Sequence, residues 1–282
     1  MSERTRAGMG GLPMVQLRAS AGASADVYLH GAHVTSWKPA RDHDERLFLS
    51  ERSEFRVGAA IRGGIPVIFP QFAAEGPLPR HGFARTSEWA LDDVTSDGDD
   101  AFASFSLRDS ADTRAIWNHA FVATLDVRVG GDRLAVTLTV ENGGRAPLMF
   151  TAALHSYLRV YDVRDTTIVG LRGTKHRESG ATGALVMETG DTLRLDGEVD
   201  RVYVDVPRTL TLWEPERSLE IGFDTFPDAV IWNPGSAKAA ALADMEPGGE
   251  RHMVCVEAAA VQRPVVVAPG ARWSGTQRFL AG

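Results

Sequence analysis

The chain of 282 residues is 44% hydrophobic and 24% charged, too apolar for a disordered segment and long enough to bury a sizeable core. Its 30 basic and 37 acidic residues leave a net charge of −7, which argues against a general nucleic-acid or anionic-membrane binder, so an anionic ligand would need a local basic site. A single cysteine, Cys255, excludes an intramolecular disulfide framework and a cysteine-rich zinc site.

The opening MSERTRAGMGGLPM lacks an apolar signal-like stretch, and residues 1–12 are expected to form a flexible start. No run approaches the roughly 18 apolar residues that span a bilayer, so with one cysteine the expectation is a cytoplasmic protein. The acidic stretch LDDVTSDGDD, residues 91–100, reads as a solvated loop. FVATLDVRV then puts Phe121, Ala123, Leu125, Val127 and Val129 on one side of a pleat and Thr124, Asp126 and Arg128 on the other. After the turn Gly130-Gly131-Asp132, LAVTLTVEN repeats the alternation with Leu134, Val136, Leu138 and Val140, which predicts an antiparallel hairpin. The same period returns in VYVDV, TLTLW and LEIGF. The best helical signal is SAKAAALADM, with Ser236 as its cap and Pro247-Gly248-Gly249 as its stop. Without a linker or an internal repeat, these elements predict an all-β chain: one large antiparallel β-sandwich over residues 1–282 with few short helices.

Several chemistries lose their sequence support. There is no G-x-S-x-G elbow, no Walker loop, no H-E-x-x-H and no G-x-G-x-x-G opening a helix. His30 with His33, and His252 with Cys255 and Glu257, are the two spacings that suggest a metal. In extended chain an odd separation sends His30 and His33, and likewise His252 and Cys255, to opposite faces, so no metal site is expected.

Four segments remain as candidates. Residues 56–85 hold Arg56, Arg62, Arg80 and Arg85 against one acid, Glu75, with Gly63, Gly64 and Gly82 beside the arginines. Planar guanidinium forks beside glycines suit phosphate or carboxylate oxygens approaching the backbone; equally, the glycines make turns and the arginines are solvated. In TAALHSYLRV, His155 shares a strand face with Tyr157 and faces either a core or a cleft. Glu257 interrupts the apolar strand HMVCVEAAA, where a carboxylate either finds a partner or lines a site. Asp200 and Arg201 open the strand EVDRVYVDV, as an edge ion pair or as part of that site. One histidine and one glutamate facing a sugar-sized cleft suffice for paired acid and base catalysis without a metal.

The segments GAHVTSWKP, LFLSE, IRGGIPVIFPQF, LPRHGFAR, LHSYLRV, EVDRVY, VIWNP, MVCVEAA and PGARWSGTQRF stand in one order over nearly the whole chain. In that order the chain resembles the aldose 1-epimerase superfamily, and within it the hexose-6-phosphate mutarotases. The resemblance implies a β-supersandwich with a shallow sugar cleft and neither metal nor organic cofactor. It implies that His155 is the general acid and Glu257 the general base, that Arg62 and Arg85 hold a phosphate, and that Gln71, His81 and Asp200 contact the sugar or shape the cleft. The expected partner is a small-molecule phosphosugar, without nucleic acid or membrane, and the chain is expected to be a monomer. Two departures bear on substrate preference: Gly235-Ser236 follows VIWNP where a bulky residue is expected, and Arg80 precedes the HGF motif. The competing readings are an aldose 1-epimerase of free galactose or glucose, which the basic 56–85 segment disfavours, and a non-catalytic carbohydrate-binding module, which would not need the acid and base. A cupin-type metal enzyme lacks its H-x-H spacing here.

Overall fold

The computed structural model describes residues 4–181 and 184–282. Alternation governs the architecture. Strands Phe121–Gly130 and Arg133–Asn142 pair along their whole length in the register Leu125↔Leu138, joined by a tight turn at Gly131 and Asp132. Leu125, Val127, Leu134, Val136 and Leu138 have no exposed surface, whereas Thr124, Asp126 and Arg128 on the other face are not buried. This hairpin sits inside a nine-stranded antiparallel sheet ordered Thr192–Arg194, Thr167–Val169, Thr209–Glu214, Arg217–Asp224, Arg272–Ala281, Arg133–Asn142, Phe121–Gly130, Asp100–Arg108 and Ala90–Asp97.

An eight-stranded sheet runs Val186–Met187, Lys175–Glu178, Val199–Val204, Asp228–Asn233, Met253–Val267, Leu148–Leu154 and Val67–Ile68, with Tyr157–Arg159 also paired to Met253–Val267. A four-stranded sheet is built from Arg6–Ala7, Pro13–Arg18, Ser24–Tyr28 and His33–Lys38. All three contribute to one core. Leu125, Leu138, Ile221 and Phe279 from the nine-stranded sheet meet Leu154, Tyr203, Ile231, Val254 and Val256 from the eight-stranded one, joined by Val15, Val27 and Trp37. Each such side chain stabilises the fold by about 1.5–3 kcal/mol through burial, and face-to-face packing of two sheets is the sandwich that the alternation predicts.

Strand Met253–Val267 is buried on both faces from Met253 to Val261. Val254, Val256, Ala258 and Ala260 enter the main core. Met253, Cys255, Ala259 and Val261 point the other way, into two smaller clusters with Phe48, Phe72, Ala239 and Met245. That second face is therefore roofed by side chains from the 66–85 and 235–252 segments. Glu257 belongs to the same alternate row.

Two expectations are corrected. The stretch 91–100 is not a loop: Ala90–Asp97 and Asp100–Arg108 pair as a hairpin down to Asp97↔Asp100. Its acidic residues fit because it is an edge strand, where exposed charges discourage further pairing. The helix after VIWNP spans only Gly235–Ala239, and Ser236 lies inside it instead of capping it; the N-cap is Pro234, without a side-chain cap, and Asn233 Oδ1 accepts the Gly235 N–H at 2.8 Å. The other short helix, Ala111–Ile116, has a Ser110/Thr113 capping box that the sequence reading passed over. Of the 1–12 segment, residues 1–3 lie outside the described residues, Arg6–Ala7 pairs with Pro13–Arg18, and Met9–Gly11 forms a 3-10 turn. Among the described residues no helix is long and apolar enough to cross a membrane.

Candidate active site

The second face of the eight-stranded sheet carries a row of functional side chains. Asp200 pairs with Trp232, Trp232 with Cys255 and Cys255 with Tyr157, so four strands place these residues side by side. Glu257 stands one pleat further along, opposite Val230. His155 follows strand Leu148–Leu154 and is held by its own backbone N–H, which donates to Pro66 O at 3.0 Å. Its Nε2 lies 3.3 Å from Glu257 Oε1, with Glu257 1% and His155 8% exposed. The pair is thus an imidazole and a carboxylate in buried contact.

Around His155 the rings fix its plane. Tyr157 stacks on it at 4.8 Å between centroids and 9° between planes, and Trp232 and His81 meet its edges at 6.0 and 5.7 Å. His81 Nδ1 accepts the Ala73 N–H at 3.3 Å, which leaves its ring proton on Nε2. Burial first, then the charges of Arg85, Arg80 and Arg62, pushes His81 down to about 3, so it stays neutral. Burial also drives His155 well below its usual 6.5, helped by His81, Arg85 and Arg62. Glu257 moves the opposite way, raised by burial and then by the carboxylate of Asp200, with Arg85 opposing.

Of the four arginines in 56–85, two lie close enough to act on His155. Arg62 donates from one terminal nitrogen to Tyr157 Oη at 3.0 Å and from the other to Asp244 at 3.1 Å. Arg85 makes no ion pair among the described residues; burial and then the neighbouring charge of Arg62 lower its proton affinity, with Tyr157 and Asp244 opposing. Arg56 is exposed on Glu54, and Arg80 is exposed beside the cleft. Glu75, the single acid of the segment, is held by Arg177 through two 3.0 Å bonds, which tether the 72–80 loop to strand Lys175–Glu178. Gln71 is spent on the same loop, donating to Ala73 O and Leu78 O and accepting from Leu78 N–H. Asp200 lines a neighbouring cavity of about 850 Å³ with Arg80, Arg177 and Lys238, and its carboxylate lies 4.0 Å from Lys238 Nζ.

A Cβ on Gly63, Gly64 or Gly82 would sit 2.3, 2.2 or 2.1 Å from the carbonyl oxygens of Phe48, Val34 and Phe69, so each of these glycines lets backbone pass close to backbone. The metal question also changes partners. His252 is turned away to Tyr161 O, and His33 is committed to Gly63 O at 2.7 Å. Instead His155, Cys255 and Glu257 bring their ligand atoms within 4.8 Å of one another. They are donor types zinc accepts, but the positive charges of Arg62 and Arg85 and the burial that raises the Cys255 thiol both work against a cation here. Sequence reasoning did not assign Tyr157, Trp232 or Asp244 to the site. Even spacing from His155 marks Tyr157, whereas Trp232 and Asp244 arrive only through folding.

The chain matches the family model described as aldose 1-epimerase over residues 13–280. Two curated relatives carry the name "Putative glucose-6-phosphate 1-epimerase". The one from Cenchrus ciliaris is 36% identical, covering 94% of this chain and 83% of its own. That from Escherichia coli (strain K12) is 34% identical over 83% of this chain and 79% of its own. A crystal structure from Salmonella typhimurium, named a putative mutarotase, superposes with a TM-score of 0.90 at 28% identity over 99% of this chain and 92% of that one. Motif order, fold and these likenesses agree, and the chain belongs to the aldose 1-epimerase family.

Proposed function

We propose that the protein interconverts the α and β anomers of an aldohexose 6-phosphate, with glucose 6-phosphate as the substrate, by opening and reclosing the hemiacetal ring. The observation that carries this is the buried 3.3 Å contact of His155 with Glu257 beside two half-buried arginines. Glu257 takes the proton of the anomeric hydroxyl while His155 gives one to the ring oxygen. The C1–O5 bond breaks, its electron pair stays on oxygen, and the aldehyde forms. Rotation about C1–C2 presents the other carbonyl face, and reclosure runs with the two roles exchanged.

At the start the proton sits on His155 opposite ionised Glu257; in the open-chain state it sits on Glu257 opposite neutral His155. The pair holds one proton throughout and only moves it. Desolvation, which lowers His155 and raises Glu257, favours the neutral arrangement in the unliganded protein, so the ionised pair that starts the cycle forms against it once substrate is bound. Arg62 and Arg85 supply the cations for a phosphate, and the names of the relatives support a glucose 6-phosphate substrate. Exchange NMR of glucose 6-phosphate anomers, with free glucose and galactose beside it, tests the reading. Acceleration confined to the phosphosugar is expected; acceleration of free sugars alone, or none, overturns it.

A further inference from the structure

Arg62 and His155 do not touch, yet one side chain contacts both. Tyr157 lies parallel to the imidazole, 9° from coplanar, and its hydroxyl accepts from Arg62 at 3.0 Å. It is 3% exposed, and Trp232 meets its edge at 5.9 Å and that of His155 at 6.0 Å. Its backbone is fixed as well, since the N–H donates to Gly64 O at 2.9 Å and the residue pairs with Cys255. The ring therefore has little freedom except to tilt with its hydroxyl, and the hydroxyl is anchored by Arg62. Arg62 in turn is held on its far side by Asp244 of the 240–248 turn, whose carbonyl accepts from Ser50 Oγ at 2.7 Å.

We propose that Tyr157 is a positioning residue through which phosphate bound at Arg62 sets the plane of the His155 imidazole. The proposal rests on the mutarotase reading above and adds to it how a remote, non-reacting group of the substrate contributes to the chemical step. An anion drawing on Arg62 pulls against Asp244 and shifts the guanidinium; the hydroxyl bonded to it follows, and the phenol face turns the imidazole stacked upon it toward the ring oxygen. A free sugar meets the same acid and base but leaves Arg62 on Asp244. Its turnover is then slower in kcat and not merely weaker in KM.

The test divides the substrate into two pieces. Free glucose anomer exchange is measured with and without inorganic phosphite dianion, the enzyme-free rate being subtracted, on wild type and on Tyr157→Phe. That substitution keeps the stacked ring and removes the hydroxyl. Phosphite is expected to accelerate glucose exchange in wild type by about tenfold or more, and the ratio of rates with and without it should fall to within about twofold of unity in Tyr157→Phe. In the same samples the His155 ring signals in 1H–15N spectra should move on phosphite addition in wild type and remain still in the variant. Phosphite activation that survives Tyr157→Phe overturns the proposal, as does its absence from a wild type that turns over glucose 6-phosphate. A wild type inactive on glucose 6-phosphate removes the functional reading itself.

Discussion

A single proton shared by His155 and Glu257 sets the pH behaviour. The active pair has one proton: below the depressed value of His155 a second proton binds, and above the raised value of Glu257 the first is lost. Because burial moves the two limits of the free protein apart, kcat/KM should follow a broad bell whose acid limb lies below the usual histidine value of 6.5, and a pH–rate profile checks it. His155→Ala and Glu257→Gln should each lower kcat by about a hundred- to ten-thousand-fold, measured by anomer-exchange NMR on variants shown to fold by circular dichroism. A folded His155→Ala protein with full activity would remove the assignment. Arg85→Ala should raise KM for glucose 6-phosphate by about tenfold or more while leaving that for free glucose within about twofold, because the guanidinium reads a group only the phosphosugar has. Equal effects on both sugars would make it structural. The candidate residues were legible in the sequence because a carboxylate in an apolar strand and a histidine in another are chemically conspicuous. Their 3.3 Å contact was not, since it depends on two strands about a hundred residues apart.

At the scale of elements, the cleft wall depends on where backbone passes close to backbone. Gly82 has φ +67° and its missing Cβ would stand 2.1 Å from Phe69 O; Gly131 has φ +54° and nothing within 4 Å. Gly131→Ala should therefore cost about 1 kcal/mol of conformational strain, whereas Gly82→Ala should cost about 3 kcal/mol or more and misplace the adjacent His81, as urea unfolding would measure. Comparable losses at both positions would contradict the packing argument. Alternation located the strands around 121–142 and 209–223, because each buries one face and exposes the other. It failed at 91–100, where an edge strand is exposed on most of its surface and its composition resembles a loop. It could not decide the faces of 253–261 either, since both are buried and only the presence of Glu257 distinguished them.

For the molecule as a whole, buried neutral histidines couple stability to pH. His33, fully buried and donating from Nε2–H to Gly63 O, is held down to about 4, against an ordinary 6.5, chiefly by burial. The sign follows from proton uptake: the unfolded chain protonates as pH falls through 6.5 while the folded chain does not until about 4, so stability present above 6.5 is lost on the way down. His81, held to about 3, acts in the same direction. Each group should cost about 1.4 kcal/mol per pH unit within its window, and urea midpoints at several pH values between neutrality and about pH 4.5 should fall accordingly. A midpoint independent of pH there would show that these rings titrate normally in the folded protein.

By itself, the order of residues determined the all-β class and the hairpins with one exposed face and singled out His155, Glu257 and the arginines as candidates, because periodicity and chemical type are local properties of a chain. Only the tertiary structure decided that Arg62 and Arg85 are half-buried near His155 while Arg56 and Arg80 are exposed, that the glycines serve backbone contacts, and that Cys255 neighbours His155 and not His252. Those outcomes turn on which strands become neighbours and in what register, and register is settled by packing between residues far apart in sequence.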